Sequence, residues 1–284
     1  MQNKLIEQAN FFGLRVSIFT YENLVEYIKE SLKHGTSVVY YGYSMGTITR
    51  FRPYPELYHY INDYDLMVTD GRLFYLLAKL CGLPLKYDIS IPYLTELVLE
   101  VGNEKHASVM IIGSTEKKNN NASQNLRNKF KNLTVYEGYT GGDFSDREND
   151  KTVSYVNKYN PDILLIGVSN PKKEYFTFKN KTKLNVKIII PCGGMVDILA
   201  GEVARIPKTV KKLGFGWLWR IVLEPNRFLK DKLNQSSHIL LKIIPLILFN
   251  RYLKNRSNFF IPSIYAIPNR NRKIRNSYSS GHMT

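Results

Sequence analysis

Three uninterrupted apolar runs set the strongest limit on how this chain can fold. They are VMIIG at 109–113, ILLIGV at 163–168 and KIIIP at 187–191. A strand with one face in water alternates apolar and polar residues, whereas these runs do not, so they fit a parallel sheet that is buried on both faces. Segments with helical spacing of apolar residues separate the strands, as at 21–34 and 92–104. The chain is therefore predicted to be an α/β protein with helices flanking a parallel sheet.

Small or acidic residues follow each predicted strand. In open parallel sheets, ligands bind beyond the carboxyl ends of the strands, so these residues are expected to meet at one edge and form a site. Glycines at such ends offer backbone N–H groups that could hold a pyrophosphate, although glycine also simply ends strands. The residues concerned are Ser44, Asp70, Gly71, Gly113, Ser114, Gly141, Gly142, Gly167 through Lys173, Gly193 and Gly194.

Asp70 is the first candidate for chemistry because it directly follows a predicted strand. On local sequence it could cap the helix predicted at 73–82, which aspartate does well, or act as a catalytic base. The cap is the more common role for an acid in this position. Lys172, Lys173 and Glu174 follow Pro171 at another strand end, where the alternative to ligand binding is an exposed helix start.

The remaining motifs argue against a metal-binding site, and the common nucleotide-binding sequence motifs are absent. The triplet Asp63-Tyr64-Asp65 has the Asp-x-Asp form that holds a divalent metal in many nucleotide-sugar enzymes, but it precedes its strand, so a solvated turn is favoured. The five histidines show no metal-ligand spacing. The chain has no GxGxxG turn and no GxxxxGK[ST] loop. Two distant cysteines suggest a reducing compartment, and the first 13 residues lack the order of a signal peptide.

Positive charge is concentrated at the end of the chain. The net charge is +16, and residues 205–284 account for +14 with 16 Lys or Arg and two acids. Such a segment is expected to face lipid headgroups, pyrophosphate or nucleic acid. We therefore divide the chain into a core at 1–204 and a basic, helical appendage at 205–284. Within it, 238–249 is apolar but too short to span a bilayer, so it either lies on a membrane or packs on the core or on a second subunit.

Four stretches resemble the WecG/TagA/CpsF family of bacterial glycosyltransferases. They are GSTEKKNNNASQNL, YEGYTGGDF, PDILLIGVSNPKKE and, most specifically, PCGGMVDILAGEVARIPKTVKKLGFGWLWRIVLEPNRFLK at 191–230. The resemblance covers about residues 10–232. It implies a Rossmann-like core that transfers a sugar, with inversion and without a metal, from a UDP-sugar to a polyprenyl-diphosphate-linked acceptor at the cytoplasmic membrane face. The expected partners are thus these two substrates and an anionic membrane surface rather than nucleic acid, and a homo-oligomer stays open.

The resemblance also assigns roles to residues. Asp70 matches the proposed base of the family's Ala-Asp-Gly motif, which favours the catalytic role over the cap, because one base suffices for an inverting transfer. The acceptor diphosphate is expected at Arg205, Arg220, Arg227 and Lys230. The expected donor-binding residues are Ser44, Gly71, Gly113, Ser114, Gly142, Gly167, Pro171, Lys172, Lys173, Glu174, Gly193, Gly194 and Asp197.

Three departures from the family pattern bear on the sugar. Ser44 ends the stretch that replaces a Thr-x-Asn loop, Asp88 and Ser90 stand in place of an Arg-Val-Thr-Gly motif, and Lys173 replaces a glutamine. All three lie where the resemblance places the transferred sugar. We therefore expect a hexose donor other than the N-acetylmannosamine or its uronic acid that the best-known relatives use.

Two other classes of function remain as alternatives. The basic, aromatic appendage would also suit a nucleic-acid-binding protein, although that leaves Asp70 and the glycine-rich strand ends unexplained. The departures at Asp88 and Lys173 would suit an inactive relative that acts as a scaffold in the same assembly pathway.

Overall fold

A six-strand parallel sheet forms the centre of the protein. The computed structural model describes residues 5–11, 13–33, 37–51, 53–140, 144, 146–204, 210, 219, 222, 237–249 and 252. The strands run in the order β4-β3-β8-β7-β5-β6, and each neighbouring pair is parallel. They are β3 (Val38–Tyr43), β4 (Leu66–Thr69), β5 (Ser108–Gly113), β6 (Thr134–Val135), β7 (Ile163–Gly167) and β8 (Ile188–Ile190). The predicted α/β class with a parallel sheet is confirmed.

Helices connect the strands, and a short antiparallel hairpin precedes them. The hairpin pairs β1 (Glu7–Phe11) with β2 (Leu14–Ile18). The helices are α1 (Tyr21–Lys33), α2 (Met45–Arg50), α3 (Leu57–Asn62), α4 (Arg72–Leu80), α5 (Ile91–Glu104), α6 (Glu116–Lys129), α7 (Asp146–Tyr159), α8 (Lys172–Asn180) and α9 (Met195–Leu199). A π-helical turn, Ile239–Ile243, continues into α10 (Ile244–Leu248).

Two apolar layers cover the two faces of the sheet. Successive strand residues point to opposite faces, so Leu164 and Ile166 belong to one layer while Ile163 and Leu165 belong to the other. The first layer holds the β1–β2 hairpin, α2, α3, α4, α7 and α8, and the second holds α1, α5, α6 and α9. Burial on both sides explains why the strands read as unbroken apolar runs.

The apolar segment at 238–249 packs on the first layer. Ile239, Ile243 and Ile247 are buried in that layer, whereas Leu240 and Leu241 are 59% and 76% exposed. The alternative of packing on the core is thus confirmed for one side of this segment. Within the part of the chain that the structure describes, no helix is long and apolar enough to cross a membrane. Most of 205–236 lies outside the described residues, so the boundary at residue 204 stays a prediction.

Helix α6 is longer than the sequence indicated. The sequence SQNLRNKF predicts a helix only over 123–130, whereas α6 begins at Glu116. Its start is set by Thr115, whose hydroxyl accepts a hydrogen bond from the Lys118 N–H at 3.4 Å. The run of asparagines that follows has low helix propensity, but packing of Ala122 and Leu126 on the sheet outweighs it.

Candidate active site

The carboxyl ends of the strands meet at one edge, and Ser44 and Asp70 lie there side by side. Strands β3 and β4 are paired with Tyr43 opposite Thr69, so the next residue of each strand leaves the sheet at the same level. The Asp70 N–H donates to the Tyr43 carbonyl at 2.5 Å, which continues the pairing by one residue. The predicted convergence of strand ends is confirmed for these two strands.

Asp70 is held by a hydrogen bond from another element. Its Oδ1 accepts from the backbone N–H of Ile91, the first residue of α5, at 3.2 Å. Helix α4 begins at Arg72, and its N-cap is Gly71, which adopts φ +117° and has no side chain to cap the helix. The N-cap of the helix predicted at 73–82 is therefore Gly71 and not Asp70. Asp70 is half-buried, and its carboxylate accepts a hydrogen bond from one of the unpaired N–H groups at the N-terminus of α5.

The room for Asp70 depends on a glycine in the neighbouring strand. A Cβ placed on Gly42 would lie 2.9 Å from the Asp70 Cβ and 2.7 Å from Cγ1 of Ile91. Real Cβ atoms essentially never approach other atoms so closely. Any larger residue at position 42 would therefore displace Asp70, Ile91 or both.

Ser44 caps the helix that follows it. Its Oγ accepts from the Thr47 N–H at 3.0 Å, and its own N–H donates to Thr47 Oγ1 at 3.3 Å, which forms a capping box at the start of α2. The serine hydroxyl is thus half-buried and fixed next to Asp70. Its predicted contact with the donor stays a prediction.

An ion pair joins the start of α4, which follows Asp70, to the segment that precedes α5. Arg72, the first residue of α4, places Nη1 3.7 Å from Oδ2 of Asp88. Asp88 precedes Ser90, which is the N-cap of α5 and supplies no side-chain cap of its own. Sequence reasoning singled out Asp88 and Ser90 but missed Arg72. Its position immediately after Asp70-Gly71 was the available signal.

The glycine turns of β5, β7 and β8 lie farther along the same edge. Gly113 is paired with Gly167, and its N–H donates to the Tyr139 carbonyl at 2.8 Å. The Gly193 N–H donates to the Ile166 carbonyl at 2.9 Å. Because these two amides are already used, phosphate contacts from the turns would have to come from their neighbours, Ser114 and Gly194. Gly142 lies outside the described residues.

Lys173 and Glu174 form a buried network instead of an exposed helix start, so that alternative is wrong. Helix α8 does begin at Lys172, after Pro171 and a cis Asn170–Pro171 bond. Lys173 is 8% exposed, and its Nζ lies 2.9 Å from Glu174 Oε1 and 3.1 Å from the Pro191 carbonyl. Its ammonium also lies 4.6 Å from the ring centre of Tyr41.

Glu174 connects this network to two more elements. Its side chain is fully buried, and Oε1 accepts from the Tyr41 hydroxyl at 2.6 Å and from Asn170 Nδ2 at 2.5 Å. Burial, followed by the charge of Glu174, raises the pKa of Tyr41 well above its ordinary value, so the hydroxyl stays a donor. The network ties β3 to the segment after β7 and to the end of β8, and thereby fixes three of the strand ends that form the edge.

Asp197 is held by a cation from α6. Lys118 Nζ lies 2.8 Å from Asp197 Oδ1 and 3.4 Å from Glu202 Oε2. The hydrogen bond to Asp197 raises the pKa of Lys118, so the ammonium stays charged. Asp197 therefore links α9 to α6 beside the Gly193-Gly194 turn, and its predicted donor contact would be made by a carboxylate that already has a partner.

The Asp63-Tyr64-Asp65 triplet lies at the opposite, amino-terminal edge of the sheet. Asp63 pairs with Lys181 at 2.7 Å, Tyr64 is buried, and Asp65 Oδ2 accepts from the Val39 N–H at 2.8 Å. The triplet is thus a turn in which only Asp63 is exposed. Among the described residues, no group of three or more His, Cys, Asp or Glu side chains is placed to hold a metal ion.

The predicted acceptor-binding cations cannot be placed. Arg205, Arg220, Arg227 and Lys230 all lie outside the described residues.

The parallel sheet with a carboxylate at its carboxyl edge places the chain among α/β proteins whose ligand site lies at that edge, and comparison with known proteins identifies the family. Residues 9–258 match the glycosyl transferase WecG/TagA/CpsF family, and the chain belongs to that family. Similar curated proteins include the N-acetylglucosaminyldiphosphoundecaprenol N-acetyl-beta-D-mannosaminyltransferases of Staphylococcus aureus strains MRSA252 and NCTC 8325. Each is 24% identical over 181 residues, which cover 63% of this chain and 68% of the relative. The predicted family and enzyme class are confirmed: the chain is a glycosyltransferase.

Proposed function

We propose that the chain transfers a sugar from a UDP-sugar to a polyprenyl-diphosphate-linked saccharide and inverts the anomeric carbon. The observation that carries this proposal is Asp70, a half-buried carboxylate at the carboxyl edge of the sheet, oriented by Ile91 and adjacent to Ser44. The names of the Staphylococcus aureus relatives describe an acceptor of the same chemical class.

In the proposed reaction, Asp70 removes the proton of the acceptor hydroxyl. The hydroxyl oxygen forms a bond to the anomeric carbon from the face opposite UDP, and the bond from that carbon to the β-phosphate oxygen breaks with its electron pair on UDP. Asp70 carries the proton at the end of the step. The glycine turns at Ser114 and Gly194 are proposed to hold the diphosphate of the donor.

The acceptor diphosphate is proposed to bind Arg205, Arg220, Arg227 and Lys230. Arginine suits phosphate because its planar guanidinium can donate two parallel hydrogen bonds. The reaction would then serve capsule, exopolysaccharide or other surface-glycan synthesis, with the enzyme peripheral to the cytoplasmic face of the membrane. We also propose that no metal ion takes part, for which the location of the Asp63–Asp65 triplet, away from Asp70, is the structural support.

The test compares Asp70→Asn with Asp63→Asn, a matched change at the opposite edge of the sheet. Transfer is measured from a panel of UDP-sugars to a short-chain polyprenyl-diphosphate N-acetylglucosamine, with and without EDTA. We expect Asp70→Asn to slow transfer by about 10²- to 10⁴-fold while UDP binding persists, since a general base contributes about that much. Asp63→Asn and EDTA should leave the rate unchanged.

Two results would count against the proposal. Undiminished transfer by Asp70→Asn would remove Asp70 from the mechanism. UDP binding by the unaltered chain, without transfer from any donor in the panel, would favour the scaffold alternative.

A further inference from the structure

The outer side of α4 carries leucines that the fold leaves in water. Phe74, Leu77 and Ala78 are buried in the apolar layer beneath the helix. Leu73, Leu76 and Leu80 point the other way and are 42%, 47% and 55% exposed. Their spacing of three and four residues places them on one stripe of the helix. A helix that is apolar on both sides normally has a second partner, and contiguous exposed apolar surface marks an interaction site.

The carboxyl-terminal segment extends this stripe. The Tyr252 hydroxyl donates to the Leu80 carbonyl at 3.1 Å, and Tyr252 is itself 59% exposed. Phe249 is 43% exposed, and Leu240 and Leu241 are exposed on the side of their segment away from the core. Through Tyr252 this segment reaches the end of α4, and residues 239–249 carry further exposed apolar side chains.

The charges on these two elements indicate what covers the stripe. Residues 72–80 and 237–249 contain no acid, and apart from Arg72, which is paired with Asp88, they contain the cations Lys79 and Lys242. A symmetric dimer through this surface would bring the cations of both copies into one interface with no acid from these elements to pair with them, which disfavours it. Exposed leucines and aromatic rings together with cations are instead the composition of surfaces that lie on anionic lipid.

We infer that the outer side of α4, together with residues 239–249 and Tyr252, is the surface on which this enzyme rests on an anionic bilayer. The inference rests on the proposed function and deepens it, because it assigns membrane contact to a helix of the catalytic core as well as to the appendage. Helix α4 starts two residues after Asp70 and rises about 1.5 Å per residue, so its nine residues span about 14 Å. Docking through α4 therefore keeps the proposed base within about that distance of the lipid surface, where a polyprenyl diphosphate resides.

The test uses the full-length chain and a triple variant, Leu73→Ser, Leu76→Ser and Leu80→Ser. Because these side chains are exposed, the variant should retain its fold, which thermal unfolding checks. The control is Tyr21→Ser with Tyr93→Ser, two exposed residues on α1 and α5 at the opposite face of the sheet. Co-sedimentation is measured with vesicles of phosphatidylglycerol and phosphatidylethanolamine, and with vesicles of phosphatidylcholine alone.

We expect the triple variant to bind the phosphatidylglycerol vesicles at least about tenfold more weakly, while the control binds as the unaltered chain does. Lys79→Gln with Lys242→Gln should lower binding to the anionic vesicles specifically. Transfer to a water-soluble acceptor analogue should be unchanged in the triple variant. If the unaltered chain does not transfer sugar to the soluble acceptor, the proposed function is refuted. The vesicle-binding result can still be interpreted independently.

Two outcomes would overturn the inference. One is unchanged vesicle binding by the triple variant. The other is a shift in sedimentation velocity from an oligomer to a monomer in the triple variant without a change in vesicle binding, which would assign the stripe to a second copy of the chain.

Discussion

Gly42 in β3 and Asp70, the residue that follows β4, are close neighbours, and a Cβ on Gly42 would lie 2.9 Å from the Asp70 Cβ. The same Cβ would meet Ile91, whose N–H orients the Asp70 carboxylate. One position in β3 therefore controls both the placement of the proposed base and the residue that holds it.

Replacement of Gly42 by alanine should impair the enzyme by displacing Asp70. Overpacking of a close contact typically costs about 1–3 kcal/mol in free energy of unfolding. We expect a loss of stability in that range, measured by urea denaturation, together with a fall in the transfer rate larger than the fraction of unfolded protein explains. Normal kcat in a Gly42→Ala variant would show that the contact is relieved without moving the base.

The Arg72–Asp88 pair should matter more for turnover than for stability. The pair is partly exposed and its atoms are 3.7 Å apart, so its loss should change the free energy of unfolding by less than about 1 kcal/mol. The pair nevertheless joins the start of α4 to the segment before α5, and both elements lie next to Asp70. We expect Arg72→Gln and Asp88→Asn each to lower kcat by about tenfold to a hundredfold, since small misplacements of a catalytic group have effects of that order.

The charge-reversed double variant, Arg72→Asp with Asp88→Arg, serves as the control for this pair. If the pair acts by holding the two segments, reversal should restore part of the lost rate. Wild-type turnover in both single variants would remove the pair from the catalytic argument.

Removing one member of the Lys173–Glu174 pair should be strongly destabilising. Loss of Lys173 leaves a fully buried carboxylate without its cation, and breaking a buried pair costs about 3–5 kcal/mol. We expect Lys173→Met to lower the free energy of unfolding by about that amount. Lys173→Met combined with Glu174→Gln should be closer to the unaltered chain, because no buried charge then remains. Equal stability of the single and double variants would contradict this account.

Protonation of Asp162 should contribute to the fall in the free energy of unfolding at acidic pH. Burial raises the pKa of Asp162, but hydrogen bonds from Lys187 and from Ser108 outweigh it and leave the pKa below its ordinary value. A carboxyl whose pKa is lower in the folded state stabilises the fold above its unfolded pKa, about 3.9, and this contribution disappears as the pH falls through the folded value. Urea unfolding measured between about pH 5 and pH 2 should therefore be less steeply pH-dependent in Asp162→Asn. An unchanged slope would exclude this contribution.

The strand ends were predictable because they depend on local pattern. Unbroken apolar runs ending at Gly113, Gly167 and Pro191 predict buried parallel strands, and parallel strands bring their ends to one edge. That reasoning placed Ser44 and Asp70 together, and it placed the Asp63–Asp65 triplet at the opposite edge.

The partners of those residues were not predictable, because they come from distant parts of the chain. Ile91 is 21 positions after Asp70, and Tyr41 is 133 positions before Glu174. Adjacent lysine and glutamate at the start of a helix usually lie in water, so the burial of Lys173 and Glu174 became visible only once β3 was placed against α8. Family resemblance, by contrast, identified the class of enzyme from residues 191–230, most of whose basic half lies outside the described residues.

Residues of the proposed site and residues that stabilise the fold lie at opposite edges of the sheet, so they can be changed separately. Asp70, Arg72 and Asp88 lie at the carboxyl edge, whereas Asp65 and Asp162 bind backbone N–H groups at the amino-terminal edge. A library that keeps Asp70, Asp65 and Asp162 and diversifies Arg72 and Asp88 should therefore vary the surroundings of the proposed base while the contacts at the amino-terminal edge stay constant. Rounds of selection for heat tolerance could then be run at the second edge without erasing the acquired sugar preference.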